Sequence, residues 1–352
     1  METRSIVKRR KMSKLPTASI EDLPEEITLQ ILTHLEFSDN ASASQVCKRW
    51  KLLCEDQSIW QKINLSGRTV PAKFIEKALR LGCQYLGLNQ SRITNLNFQD
   101  PNSFSASNQL KYLSISDDLL PYYGFSMKNL IGATQTLEKL SIERNWTNFQ
   151  PNIIQNNQTL TVLRITGLIS LSTEMVKVIS TNCLELTEVS LDIGGGVSDE
   201  ALSFFCNNLT SKIKKLDLFS NRFDMFKDEH VIAITNRCPS LEELALSGRG
   251  THFSELALSA IIEKLQNLVK LRLPNSGGNF SEKVLLELGS MPNLKYLQVR
   301  FTKNLAIRSK MVKNLPNLKI NEKPFKIADP DTSNQRLWDI QCKPTNDFYE
   351  TF

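Results

Sequence analysis

Two hydrophobic rhythms divide the chain. Between residues 19 and 60 the apolar positions recur every three or four residues: Ile27, Ile31 and Leu35, with Leu23 ahead of them and Leu32 beside them, then Val46, Trp50 and Leu53. That period lines one face of a helix. Asp22 is placed to cap the first helix and Pro24 falls in its first turn, where a missing N–H costs nothing. Glu25 and Glu26 sit at the positive end of the helix dipole, and Ser38 or Asp39 restarts a helix. About forty residues are too few to hide Trp50, Trp60 and such a stripe within themselves. The pattern therefore predicts a partner surface, either in the same chain or in another protein.

Residues 61–92 read as transitional, with a strand at Ile63–Leu65 and a helix from Phe74 to Leu81. Then the rhythm changes to apolar-x-x-apolar-x-apolar. It starts at Ile93-x-x-Leu96-x-Phe98 and returns from Leu110, Leu137, Leu160, Leu186, Ile213, Leu241, Leu268, Leu294 and Leu315. The steps are 17, 27, 23, 26, 27, 28, 27, 26 and 21 residues. These are leucine-rich repeats. Between the strands, helices open at Ser172, Ser198, Lys227, Ser254 and Ser281 with acids in the first turn, as a helix N-terminus prefers. Each repeat is thus one strand and one helix, and the fold class is α/β. A helical N-terminal module precedes a right-handed solenoid with parallel inner strands and outer helices. Strands sit ~4.8 Å apart and helices ~8–10 Å apart, so such an array curves with its strands inside. The domains expected are a basic, disordered arm (1–18), the helical module (19–60), the repeats (61–320) and a tail (321–352).

Residues between the strand leucines face the concave side. The early rungs offer Asn95, Asn97, Tyr112, Ser114, Lys139, Ser141 and Arg164; the middle rungs offer Glu188, Ser190, Asp192, Lys215, Asp217, Phe219 and Glu243. The late rungs offer Lys270, Arg272, Tyr296, Gln298 and Arg300. The stacked cations at the end suggest a site for an acidic or phosphorylated partner; the alternative is a solvated strand face.

Composition narrows the class. With 352 residues, 41% hydrophobic and 23% charged, the chain folds around a core. No apolar run approaches the ~20 residues of a membrane helix, no secretory signal is expected, and the reading assigns no membrane partner. Seven cysteines at irregular spacing read as buried free thiols. The net charge of +6 is partly concentrated in Lys8–Lys11 and Lys14. That cluster reads as a nuclear-import signal or a solvated tail, and the balance gives no nucleic-acid partner. In the tail, Leu337, Trp338, Ile340 and Cys342 form an isolated apolar cluster. It could cap the solenoid, strap the concave face or bind another protein.

The segment Leu23-Pro24-x-x-Ile27, Ile31, Leu35, Val46-Cys47-x-x-Trp50 and Trp60 resembles an F-box at that family's spacing. The alternative is the core of an ordinary helical cap. The resemblance implies docking on the Skp adaptor of a cullin-type ubiquitin ligase, with cullin and RING subunit reached indirectly. Leu23, Pro24, Ile27, Ile31, Leu35, Val46, Cys47, Trp50 and Trp60 would be the adaptor-binding residues. An F-box, about ten repeats and the tail Leu337-Trp338-Asp339-Ile340-Gln341-Cys342-Lys343 together resemble the family of S-phase kinase-associated protein two. This implies a substrate receptor for proteasomal degradation, in nucleus and cytoplasm. Its tail would fold over the concave face. Lys270, Arg272, Tyr296, Gln298, Arg300 and Trp338 would then meet a phosphorylated kinase-inhibitor substrate and a small cyclin-kinase-subunit accessory protein. A scaffold or inhibitor acting outside the ligase is the alternative.

Catalytic chemistry finds little footing. His34, His230 and His252 are isolated, without metal-ligand spacing. Cys54-Glu55-Asp56 fits the Cys-x-Asp string of some bacterial ligases but falls on the packed helix after Trp50. Gly194–Gly196 and Gly277–Gly278 are not followed by the Lys-Ser/Thr of a phosphate loop. The expectation is a non-enzyme with no cofactor and no metal.

Overall fold

The computed structural model describes residues 19–35, 37–94, 109–116, 134–143, 151–167, 171–249, 253–273, 280–299, 309–310, 313 and 318–320. The chain forms two compact units, one ending at Ile59 and one starting at Trp60.

The first unit is helical. Ser19 caps a single turn, Ile20–Asp22: its hydroxyl accepts from the Glu21 N–H and its own N–H donates to Asp22. Helix α1 (Glu25–Thr33) follows. Asp22 is therefore spent on the turn before α1, and Pro24 stands at the cap position of α1 without a side-chain bond, a correction to the expected capping. Thr28 and Leu32 form the buried side of α1. Helices α2 (Phe37–Ser44) and α3 (Lys48–Leu53) complete the packing, with Ala41, Ala43 and Cys54 buried. The Cys54 thiol donates to the Asn40 carbonyl at 3.4 Å. A short helix, α4 (Gln57–Trp60), leads into the second unit.

The second unit is built on one parallel sheet. Its described strands are β1 (Lys62–Asn64), β3 (Tyr85–Leu88), β5 (Tyr112–Ser116), β6 (Lys139–Glu143), β7 (Val162–Thr166), β8 (Glu188–Asp192), β9 (Lys215–Phe223), β10 (Glu243–Arg249), β11 (Lys270–Leu273), β12 (Tyr296–Val299) and β13 (Lys319–Ile320). They pair in that order. The repeat leucines point inward: Leu113, Leu163, Leu271 and Leu297 are fully buried. Described helices of this unit are α5 (Ala72–Arg80), α6 (Pro151–Asn156), α7 (Thr173–Asn182), α8 (Asp199–Asn207), α9 (Asp228–Arg237), α10 (Glu255–Lys264) and α11 (Glu282–Leu288). Serine caps start four of them: Ser172, Ser198, Ser254 and Ser281 accept from the N–H groups of Met175, Ala201, Leu256 and Val284. Threonines stitch one repeat to the next: Thr159, Thr187 and Thr210 each donate to a carbonyl of the preceding repeat at 3.0 Å.

The array begins earlier than the apolar pattern suggests. Trp60-x-x-Ile63-x-Leu65 and Cys83-x-x-Leu86-x-Leu88 fill the same three inward positions, each at most 2% exposed. Ile93 does not open a strand of the main sheet. It lies in β4 (Arg92–Thr94), paired only with β2 (Thr69–Pro71) in a separate two-stranded sheet. Starting from Trp60, the steps become 23 and 27 residues, in line with the rest. The anomalous 17-residue step came from reading Ile93 as a rung. Leu96, Phe98, Asn95 and Asn97, assigned to that rung, lie outside the described residues.

Candidate functional site: two interaction surfaces

The first surface belongs to the helical unit. Because Thr28 and Leu32 take the inner side of α1, the stripe of Ile27, Ile31 and Leu35 faces out, at 42%, 40% and 36% exposure. Val46 is 66% exposed, Pro24 and Cys47 are exposed, and Leu23 and Trp50 are half-buried. Two further apolar residues of this unit that the three–four periodicity passed over are also exposed: Leu52 at 72% and Ile20 at 47%. Both fall off the helical stripe, so the period does not mark them as exposed. Arg49 holds the edge of this surface. Its guanidinium donates to the carbonyls of Glu21 at 2.8 Å and Leu23 at 2.5 Å, and its Nε lies 3.8 Å from the Glu25 carboxylate.

Trp60 corrects the sequence assignment. It is 1% exposed and packs on Phe74, ring centroids 5.6 Å apart, with the Lys77 ammonium over its own ring. It fills the first inward position of the first repeat, so it acts as core of the repeat unit and not as a surface for a partner.

The second surface is the strand-lined face of the repeats. Register places Lys62, Tyr85, Tyr112, Lys139, Val162, Glu188, Lys215, Glu243, Lys270, Tyr296 and Lys319 on one row across the sheet. Its middle is neutralised in pairs: Lys215 meets Glu188 and Lys270 meets Glu243, both at 2.7 Å. Lys270 is thus not the free cation expected from sequence, and its ammonium also lies over the Tyr296 ring. The neighbouring row carries Arg164, Ser190, Asp217, Arg272 and Gln298. Arg164 Nη1, Asp192 Oδ1, Arg272 Nε and Gln298 Oε1 are buried without a hydrogen-bond partner among the described residues. In a native protein such groups call for a reason. Burial pushes the carboxyls of Asp192 and Asp217 up to about 6; for Asp217 the nearby Arg272 and Arg164 offset part of that. Arg300 and Trp338 lie outside the described residues.

Nothing in the described residues assembles a hydrolytic centre. Ser203 Oγ and His230 Nε2 are 3.0 Å apart, the contact a nucleophile and its base would make. But His230 Nδ1 accepts the Lys227 N–H at 3.0 Å. The ring proton of the neutral imidazole is therefore on Nε2, donated to the serine, which is the wrong tautomer for a base. Burial holds this histidine below its ordinary pKa, so it serves as a buried helix cap. Burial likewise raises the Cys54 thiol, the opposite of what a nucleophilic thiolate needs. Among the described residues no group of three or more His, Cys, Asp and Glu is arranged to hold a metal.

A helical module with an open apolar surface, joined to a repeat array with a polar strand face, defines a modular binding protein. Comparison with known proteins gives the family. An F-box-like family model matches residues 20–66, and the SKP2 LRR domain model matches residues 73–345. The chain belongs to the F-box proteins with an SKP2-type leucine-rich-repeat domain. One F-box/LRR-repeat protein of Arabidopsis thaliana is 48% identical over 44 residues, 12% of this chain and 14% of the relative. The chain's match therefore spans about a seventh of that relative's length. Another from the same plant is 25% identical over 238 residues, 64% of this chain and 85% of the relative. Among solved structures, an internalin from Listeria monocytogenes is 15% identical with a TM-score of 0.42, covering 81% of this chain and 95% of that one.

Proposed function

We propose that this chain is the substrate-recognition subunit of a Skp–cullin–F-box ubiquitin ligase. The helical unit binds the Skp adaptor, and the repeats with the tail bind the protein to be ubiquitinated. The single observation that carries the reading is the outward apolar set of the helical unit. Ile27, Ile31, Leu35, Val46 and Leu52 are all at least 36% exposed in a unit that buries other apolar residues well. A small folded module keeps such a set open where a partner covers it. F-box domains as a class dock on Skp-type adaptors, and this surface has the matching chemistry.

Ubiquitin transfer then falls to partner subunits, and this chain contributes proximity and orientation. By resemblance, the late rungs around Lys270, Arg272, Tyr296, Gln298 and Arg300, with Trp338 of the tail, would receive a phosphorylated kinase inhibitor. A cyclin-kinase-subunit protein would be its accessory, in nucleus and cytoplasm. Arg272 and Gln298 stand opposite each other on adjacent strands of that face.

The experiment is co-purification of the full chain with the adaptor and cullin. The wild-type chain is expected to retain both. Leu23→Ala and Trp50→Ala are each expected to lose them, since truncating a buried anchor at an interface often costs at least ~2 kcal/mol. Adaptor retention by both variants would remove the adaptor assignment.

A further inference from the structure

Lysines on the strand-lined face are of two kinds. Lys215 and Lys270 are each closed by a glutamate from the adjacent strand. Lys62 and Lys139 have no carboxylate partner among the described residues. Each instead lies over a tyrosine: Lys62 Nζ is 5.1 Å from the centre of the Tyr85 ring, and Lys139 Nζ is 4.8 Å from that of Tyr112. The two rings meet edge to face with centroids 4.2 Å apart. Register puts all four side chains on one row of the adjacent strands β1, β3, β5 and β6. The lysines therefore lean inward, from both ends, onto a pair of rings in edge-to-face contact. Lys62 is exposed and the other three are half-buried.

The charge here is not balanced. A third lysine, Lys111, holds Glu138 at 2.9 Å, and Glu138 also accepts from the Tyr112 hydroxyl at 3.3 Å. That leaves three ammonium groups against one carboxylate. The adjoining row, Asn64, Gly87, Ser114 and Ser141, is uncharged. An aromatic ring attracts an ammonium through its quadrupole but accepts few of its three N–H donors. Both terminal lysines so keep donors to offer, on a preset geometry.

We propose that the row Lys62–Tyr85–Tyr112–Lys139 is a docking surface for an acidic polypeptide segment of a protein substrate. Two carboxylates of that segment pair with Lys62 and Lys139, and the uncharged residues between them lie on the two rings. The outer strands of the row are three strand spacings apart, about 14 Å, which an extended chain crosses in about four residues. Lysines are point charges, and here they sit on separate strands, which suits two separate carboxylates. A single phosphate is best met by the planar fork of an arginine, and none stands on this row. The inference deepens the receptor reading by naming the partner chemistry at the first rungs.

The test uses the full chain without adaptor, so its failure and a failure of adaptor binding are separate results. The probe is a fluorescent synthetic peptide with two glutamates four residues apart and leucine between them. Its twin carries glutamines at the same places. Anisotropy should show binding of the glutamate peptide, weakened by added salt, and at least roughly fivefold weaker binding of the twin. Lys62→Gln/Lys139→Gln should reduce affinity for the glutamate peptide by a similar factor. Lys73→Gln/Lys283→Gln removes the same charge from exposed helix positions and should leave it unchanged. All four lysines are on the surface or its margin, and an unchanged melting temperature confirms that each variant is folded. Equal binding of the two peptides, no binding, or equal weakening by both double variants would overturn the proposal.

Discussion

The two units treat the same kind of residue in opposite ways. In the repeat unit every inward leucine from Leu110 to Leu297 is at most 3% exposed. Each repeat buries its neighbour's apolar face, and stability is a sum of such contacts. In the helical unit the apolar stripe predicted from its period is the side left open, while the small residues Ala41, Ala43 and Thr28 go inside. Periodicity shows that a face is apolar but not what covers it. In a repeat array the cover is the next repeat; in an isolated module of this size it has to come from elsewhere.

The largest effect that could break this contrast is at Trp60, the one tryptophan moved from one unit's account to the other's. If it is core of the first repeat, Trp60→Ala should cost the repeat unit about 3–5 kcal/mol. It should also lower the denaturant midpoint of the early rungs. If instead it faces a partner, stability will hardly move and adaptor affinity will collapse. Chemical denaturation beside an adaptor-binding assay separates the two.

The reverse should hold at the open stripe. Ile31→Asp and Leu52→Asp replace residues that are 40% and 72% exposed. Away from the core such changes stay within about 0.5 kcal/mol of wild-type stability, yet each should weaken adaptor binding by ~2 kcal/mol if it lies in the interface centre. A loss of stability without a loss of binding would mean the stripe is core after all.

How much of this was legible beforehand follows from the same residues. The inward positions of β5 to β12 could be read because leucine, isoleucine and valine fill them at near-constant spacing. Of the first two rungs only the strand at Ile63–Leu65 is legible; their place in the array is hidden because Trp60 and Cys83 stand where the pattern has a leucine, and Ile93 is a better-looking decoy. Pairings across the strand face lay beyond reach as well. Lys270 looked like a free cation until register set Glu243 opposite it. Lys62 and Lys139, by contrast, became notable only once Tyr85 and Tyr112 were found between them. Neighbours on a parallel sheet are some 27 residues apart in sequence, so no local pattern announces them.

Below these in size is a pH effect confined to the repeat unit. Asp192 and Asp217 have pKa values pushed up to about 6 by burial. A carboxyl whose folded pKa exceeds its unfolded value holds its proton more tightly when folded. Its contribution to stability is therefore complete below the unfolded pKa and is lost as pH rises through about 6. The repeat unit should be less stable at pH 7.5 than at pH 5, by on the order of 1–2 kcal/mol, and should melt at a lower temperature accordingly. Asp192→Asn/Asp217→Asn should remove most of that difference. His230, with its pKa lowered by burial, acts in the opposite sense, but it is common to both proteins and cancels in the comparison. An identical pH profile for the variant would show that the two carboxyls are ionised without penalty in the folded chain.

The smallest effect concerns how a repeat helix is started. Ser198 accepts the Ala201 N–H at 3.2 Å, and its own N–H donates to the Thr173 hydroxyl of the preceding repeat at 3.1 Å. Ser198→Ala removes the first bond and keeps the second, because the backbone N–H remains. The expected loss is about 1 kcal/mol, the usual cost of an N-cap. At α9 the same orphan end is closed by the buried ring of His230, bonded on both nitrogens. His230→Ala should cost more than Ser198→Ala, because it opens a void and leaves the Lys227 N–H unpaired. Equal losses at the two caps would mean that the ring contributes only its hydrogen bond and that the core around α9 closes over the gap. Such plasticity would be unexpected where Val231 and Ile234 are fully buried.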